Sequence, residues 1–272
     1  SSKDESYNFC IIGDRTGEPD DEIFNKAIKQ VNSMNPNFVI FMGDLIDGYK
    51  NDSSNLNKEW DEILCRISSI NKPTFLVPGN HDISNQIAKN IWEDRFGPSM
   101  YYFKFNESLF IVLDTEDPPV NSSKDEWNNI KKIIQTNQRL GDAILDIKNP
   151  ANLSIDQVTK VQEILELDEN RYVDWIYVFM HKPFWKDTKN YFRFIEETLS
   201  NNEYSVFSAH KHLFQAHRRN GRDFIEVGSA GGGLFTEENI KGNYHHILWV
   251  SYKPGIGPEY TNISIDGFKD VY

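Results

Sequence analysis

Val77-Pro78-Gly79-Asn80-His81-Asp82 is the stretch on which the reading of this chain turns. It follows the apolar run Thr74-Phe75-Leu76-Val77, which predicts a short buried strand. Pro78 and Gly79 end that strand, because proline donates no ladder hydrogen bond and glycine accepts backbone angles other residues resist. An amide oxygen, an imidazole and a carboxylate are thus presented together past a strand's C-terminal end, where ligands bind in open α/β sheets. Taken alone the stretch reads first as an Asx-type turn. The rest of the chain reverses that order.

The same pattern occurs twice upstream. Tyr7-Asn8-Phe9-Cys10-Ile11-Ile12 predicts a strand that ends at Gly13-Asp14-Arg15-Thr16-Gly17. Residues 20–34 follow with apolar positions Ile23, Phe24, Ala27, Ile28 and Val31 at helical spacing, and Asp20 and Asp21 suit the helix start. Phe38-Val39-Ile40-Phe41-Met42 is a nearly continuous apolar run, as in a strand covered on both faces, and it ends at Gly43-Asp44-Leu45-Ile46-Asp47. Residues 49–57 read as a loop and 58–70 as a helix with Trp60, Ile63, Leu64 and Ile67 on one face. Strand, polar turn and helix repeat, which implies right-handed crossovers and parallel pairing. Parallel strands place their C-terminal ends on one edge, so Asp14, Asp44 and Asn80 are expected to meet.

Downstream, a helix is predicted around Ala88–Phe96, then a hairpin from Met100–Phe105 and Leu109–Asp114. Residues 116–150 break the rhythm and read as an insertion near the site mouth, with one amphipathic helix carrying Trp127, Ile130, Ile133 and Ile134. A helix over 154–167 has Ser154 and Gln157 placed as a capping box. Trp175–Met180 predicts a buried strand ending at His181, 189–200 a helix, and Tyr204–Ser208 a strand ending at Ala209-His210-Lys211-His212. The remainder is strand-rich, with runs at 222–227, 245–252 and 259–265 and a turn at Gly231-Gly232-Gly233. No repeat or linker divides the chain, which reads as one domain over residues 1–272.

His81, His181, His210 and His212 each stand just past an apolar run. If locally extended, His210 and His212 point to one side and Lys211 to the other. Carboxylate, amide oxygen and imidazole suit Mn, Fe, Zn or Mg, with no thiolate to select a softer metal. His217, His245 and His246 match no motif and read as structural or surface residues.

The string Asp14-Arg15-Thr16, Gly43-Asp44-Leu45-Ile46-Asp47, Gly79-Asn80-His81-Asp82, His181 and Ala209-His210-Lys211-His212 resembles the calcineurin-like metallophosphoesterases over about residues 7–212. The resemblance implies a four-layer α/β fold, a two-sheet sandwich flanked by helices. It also implies a metal-dependent hydrolase of phosphoric esters, a phosphatase or phosphodiesterase. Asp44 would bridge two metals, Asn80, His181 and His210 would complete one, and Asp14 and His212 would serve the other. A hydroxide held by the cations would attack phosphorus, and His81 would give a proton to the leaving group with Asp82 holding its ring. Two departures stand out. Thr16 occupies the place of a family histidine, so the first metal is short of one ligand, and Ala209 replaces a glycine. Thr16 keeps an alternative open: a degenerate member that binds one metal or none and acts as a non-catalytic interaction module. Arg15 is a candidate for bidentate phosphate binding and Trp185 for a wall of the substrate pocket.

The composition sets bounds on function. Lys plus Arg total 29 against 41 Asp plus Glu, a formal charge of −12, which opposes a nucleic-acid-packaging role and leaves a small phosphorylated substrate open. Hydrophobic residues make up 39% of the 272, enough for a substantial core. No stretch approaches the roughly 20 apolar residues of a membrane span. The chain's two cysteines, Cys10 and Cys65, read as free thiols. The absence of an initial Met leans towards an exported bacterial protein.

Overall fold

The computed structural model describes residues 5–119, 125, 128–129, 132–133, 150–186, 191–235 and 240–265. The first half alternates β1 (Tyr7–Ile12), α1 (Asp21–Met34), β2 (Phe38–Phe41), α2 (Ser53–Ile67), β3 (Thr74–Leu76) and α3 (Gln86–Phe96). Then come β4 (Tyr101–Phe105), β5 (Ser108–Val112), α4 (Ile155–Glu166), β6 (Trp175–Phe179), α5 (Phe192–Leu199) and β7 (Tyr204–Ser208). The chain continues through β8 (Gln215–Arg219), β9 (Arg222–Glu226), β10 (His246–Lys253) and β11 (Gly257–Ser264).

These strands make two mixed sheets, ordered β11-β10-β1-β2-β3 and β4-β5-β6-β7-β9-β8. Strands β1, β2 and β3 are parallel, as are β5, β6, β7 and β9. The period-two alternation of side chains sorts the core into three layers. Cys10, Ile12, Val39 and Phe41 face outwards onto Phe24, Trp60 and Trp92 of α1–α3. Their neighbours Phe9, Ile11, Phe38 and Ile40 face inwards and meet Phe110, Val112, Tyr177 and Phe179 of the second sheet. The opposite face of that sheet, including Ile111, Ile176 and Val178, packs on Val161 of α4 and Ile195 of α5. The result is helices, sheet, sheet, helices. The apolar runs of β2 and β6 are continuous because both faces of each strand are covered.

The local differences from the sequence reading have physical causes. Helix α2 starts at Ser53, earlier than expected, because Asp52 caps it by accepting from the Ser54 amide at 2.9 Å. Ser154 and Gln157 do not form a capping box. The Ser154 hydroxyl donates to Asp117 (2.6 Å), and the Gln157 side chain bridges the Asp114 amide and carbonyl (2.9 Å each). Strand β8 was not expected, since Gln215-Ala216-His217-Arg218-Arg219 carries little apolar content. The available signal was Asn220-Gly221, whose φ values of 51° and 77° make the tight hairpin turn to β9. Of the helix predicted within 116–150, Trp127, Ile130 and Ile134 lie outside the described residues. The two ends of that segment meet, the Asn152 amide donating to the Thr115 carbonyl at 2.8 Å. Among the described residues no helix is long and apolar enough to cross a membrane.

Candidate metal centre

The parallel strands of both sheets end at a common edge. Just past their ends, β1 supplies Asp14, β2 Asp44, β3 Asn80 and His81, β6 His181, and β7 His210 and His212. The turns after β2 and β3 are pressed together. A Cβ on Gly79 would lie 2.4 Å from the Asp44 amide, and one on Gly43 would lie 2.8 Å from the Gly79 amide. Only glycine permits this approach. Asp44, His210 and His212 adopt left-handed φ values of 53°, 71° and 54°. Non-glycine residues held there signal a site whose surroundings overrule local preference.

Asp44, His181 and His210 each offer a ligand atom within 4.8 Å of the others. Asp44 Oδ2 lies 3.2 Å from His181 Nε2 and 4.0 Å from His81 Nε2. The His181 and His210 rings meet edge to face at 5.2 Å. His181 Nδ1 contacts the Met42 carbonyl at 2.7 Å, which fixes that nitrogen as the donor and turns Nε2 towards Asp44. The Asn80 Nδ2 donates to the Tyr49 hydroxyl at 2.9 Å, while its Oδ1 is buried without a hydrogen-bond partner, as is His181 Nε2. Buried polar atoms left this way are costly unless a ligand satisfies them. Asp14, wholly buried, accepts no well-aligned hydrogen bond and meets His212 Nε2 at 3.1 Å and His181 Nδ1 at 3.7 Å as charges. The donor set around Asp44, with oxygen and imidazole ligands, fits a borderline divalent cation.

Several expectations are corrected. Asp82 does not hold the His81 ring. Its carboxylate accepts from the amides of Asp44 (2.8 Å), Leu45 (2.9 Å), Ile46 (3.3 Å) and Gly79 (3.0 Å), clamping the two turns to each other. The His81 ring is held by the Asp47 carbonyl, 2.8 Å from Nδ1, and by the edge of Tyr49 at 4.8 Å. His210 and His212 are not in an extended segment. Their left-handed backbones send His210 to the Asp44–His181 group and His212 to Asp14, and Lys211 lines the same cavity as His210. The Arg15 guanidinium is engaged by Asp21 at 2.6 Å and the Leu45 carbonyl at 3.0 Å, so in this arrangement it braces α1 against the second turn. Trp185 packs in the outer core against Phe224 at 5.1 Å, and of the adjacent pair it is Phe184 that lines a cavity. The Thr16 hydroxyl donates to Asp47 Oδ1 at 2.6 Å and is thereby occupied within the protein.

The sequence reading missed the glycine triplet's role. The Gly233 carbonyl lies 2.6 Å from His212 Nδ1, fixing that ring, and a Cβ on Gly232 would lie 2.8 Å from His212 Cε1. It missed Tyr49 as the partner of both Asn80 and His81. Among the unmatched histidines, His246 is a core residue whose Nε2 accepts from the Gly228 amide at 2.7 Å, and burial pushes its pKa down to about 4. His217 pairs with Glu226 at 2.8 Å.

Charge at the centre is strongly coupled. Burial opposes ionisation of Asp44, yet His181 and His81 outweigh it and hold the carboxyl well below its usual range. Burial likewise opposes charging His181, but Asp44 and Asp14 raise its pKa to about 10. Asp82 is pushed up to about 7 by burial and by the Asp44 charge, against the amides that favour its anion. The pair at the centre is thus a cationic His181 against an anionic Asp44.

Residues 7–214 match the family described as calcineurin-like phosphoesterase. The chain belongs to that family. Membership makes it a metal-dependent phosphoesterase, and the family implies divalent cations, typically in pairs. No curated protein matches the sequence. The fold is similar to a dimetal phosphatase from Danio rerio, with a TM-score of 0.61 and 16% identity over 95% of this chain and 99% of that one. A Plasmodium protein, GAP50, described as the anchor in the inner membrane complex, gives a TM-score of 0.59 and 15% identity over 98% and 87% of the two chains. Purple acid phosphatase from yellow lupin gives 0.60 and 10% identity over 98% of this chain and 52% of that one. At these identities the likeness is one of fold.

Proposed function

We propose that this phosphoesterase is built around one complete cation position and one depleted position. Asp44, Asn80, His181 and His210 would hold the cation of the complete position, and Asp14 and His212, with Asp44, would hold the other weakly. The observation that carries the reading is the convergence of Asp44, His181 and His210, and the buried, unsatisfied side-chain oxygen of Asn80 supports it. Thr16, bonded to Asp47, does not supply the missing imidazole. A bound divalent cation supplies charge neutralisation at the phosphoryl oxygens and a lowered pKa for water.

The chain's own residues do the rest. Asp82 sets the backbone of residues 44–46, and Tyr49 orients the Asn80 amide. His81, with Nδ1 donating to Asp47, presents Nε2 near Asp44 and is placed to protonate a leaving oxygen. The buried position of the carboxylates excludes bulk water and strengthens each of these interactions.

The test is metal content per chain together with hydrolysis of a chromogenic phosphoester in the presence of Mn2+. One tightly held metal with turnover is expected. Full metal loading without turnover on any phosphoester would overturn the reading. A second reading, a chain holding one metal or none and acting through its surface, is favoured by Thr16 and by the fold likeness to the Plasmodium anchor protein.

A further inference from the structure

The cavity beside His210 runs against the charge of the chain as a whole. The sequence carries a formal charge of −12, yet this cavity of about 330 Å³ is lined by Lys182, Lys186 and Lys211 beside His210, and among the described residues no acidic one lines it. The remaining wall is Phe184, two prolines and an alanine.

Two of the three lysines are held by carboxylates that do not themselves line the cavity. Lys182 is 3% exposed, and its Nζ donates to both oxygens of the buried Glu116, at 2.7 and 2.9 Å. Lys186 Nζ meets the buried Glu226 at 2.5 Å and lies over the Trp185 ring, 5.4 Å from its centroid. A buried charge is costly unless it is paired, so each acid fixes its lysine in place. What remains is an oriented dipole whose positive end is the one on the cavity wall. Dipoles set in advance in this way attract an anion without having to reorganise, and an ammonium suits carboxylate or phosphate oxygens as a compact point charge.

His210 joins this cavity to the centre, because it also offers a ligand atom within 4.8 Å of those of Asp44 and His181. A substrate whose phosphoryl group is held at the centre can therefore extend past His210 into the lysine-lined space. We infer that this cavity is a subsite for a second anionic group on the substrate, a carboxylate or a further phosphate a few bonds from the phosphoryl group that reacts. This rests on the hydrolase reading above and adds a charge requirement that the metal ligands do not set.

The test varies the second group on one two-carbon frame: 2-phosphoglycolate carries a carboxylate, ethylene glycol bisphosphate a second phosphate, and 2-hydroxyethyl phosphate neither. With Mn2+-loaded protein at equal free Mn2+, kcat/KM for the better anionic probe is expected to exceed that for 2-hydroxyethyl phosphate about 10–100-fold, mainly through KM, the scale of one hydrogen bond to a charged group. Which anionic probe leads identifies the source of the charge. Lys186→Met, in which Glu226 is still held by His217 at 2.8 Å, should shrink the advantage, and Lys186→Arg should restore it. A second arm needs no turnover. In metal-free protein at fixed ionic strength, the leading anionic probe should raise the melting temperature more than 2-hydroxyethyl phosphate does, and Lys186→Met should remove the difference. Equal kcat/KM across the three probes, equal melting temperatures, or an advantage that Lys186→Met leaves untouched each overturn the proposal while leaving the hydrolase reading intact. Loaded protein that turns over none of the three overturns the hydrolase reading, and the metal-free arm still decides whether the cavity takes an anion.

Discussion

The two halves of the centre are built from similar residues and finished differently. On one side stand Asp44, Asn80, His181 and His210, and three of them are oriented by a neighbour the fold supplies: Asp82 for the Asp44 turn, Tyr49 for Asn80, the Met42 carbonyl for His181. On the other side Asp14 and His212 are equally well set, His212 by the Gly233 carbonyl, yet the third position is a threonine bonded to Asp47. The lesson is that a threonine can stand where the family resemblance implies an imidazole without loosening the scaffold. Thr16 is 1% exposed and its hydroxyl is satisfied by Asp47.

Asp44 is the residue both halves share, and its removal should have the largest effect. Asp44→Asn is expected to empty both positions and to abolish turnover, beyond the roughly 10²–10⁴-fold loss that follows removal of a proton donor. Metal analysis of the purified variant checks this, and retained stoichiometry would contradict the shared role. His81→Ala separates chemistry from binding. It should leave metal content intact while lowering turnover about 10²–10⁴-fold, steepest for substrates with poor leaving groups. Unchanged rates would remove His81 from the mechanism.

Thr16→His acts on the depleted half alone. The imidazole would break the bond to Asp47 and restore the residue type that the family resemblance implies at this place. Affinity for a second cation should rise by about 10–100-fold, the usual weight of one supporting group at a metal site. Titration calorimetry with Mn2+ would show the second binding event shifted to lower concentration than in the native protein. A native protein that already binds two equally tight metals would erase the distinction between the halves.

The fold, and the meeting of the polar turns at one edge, were legible because they rest on period and position. Continuous apolar runs over Phe38–Phe41 and Trp175–Phe179, separated by helices, marked buried parallel strands, and the polar turns after them had to share an edge. The supporting contacts were not legible, because they join residues distant in sequence through backbone groups. Asp82 follows His81 directly, which suggested a side-chain pair. The carboxylate instead reaches back to amides 36 to 38 residues away, at Asp44, Leu45 and Ile46. Gly231-Gly232-Gly233 read as a plain turn, since nothing local reveals that its carbonyl faces His212. His210-Lys211-His212 misled for a different reason: alternation predicts a shared face only for extended backbone, and both histidines are left-handed.

The smallest expected effect concerns protons on the complete half. In the metal-free protein His181 has its pKa raised from 6.5 to about 10, because Asp44 and Asp14 outweigh the burial that opposes its charge. Below 6.5 both the folded and unfolded chains hold this proton, so its stabilisation is fully present. Above 6.5 the unfolded chain releases the proton while the folded one keeps it, and the contribution shrinks until it vanishes above about 10. Asp82 and Glu116, each raised to about 7, add a loss of the same sign that is complete by about 8. In the window above about 8, His212, also raised by Asp14 against its burial, adds to the loss from His181, and Cys10, raised to about 12 by burial, adds a further one above 9. The melting temperature of metal-free protein should therefore decline across that window, by about 2–4 °C for each kcal/mol lost. A bound cation replaces the proton and reverses the dependence, since at lower pH it must compete with protonation of His181. Metal-loaded protein should hold its melting temperature above pH 8 and lose its advantage over the metal-free form as pH falls. Parallel curves for the two forms would mean that the proton and the cation do not share a place, and that Asp44 and His181 do not line the cation position.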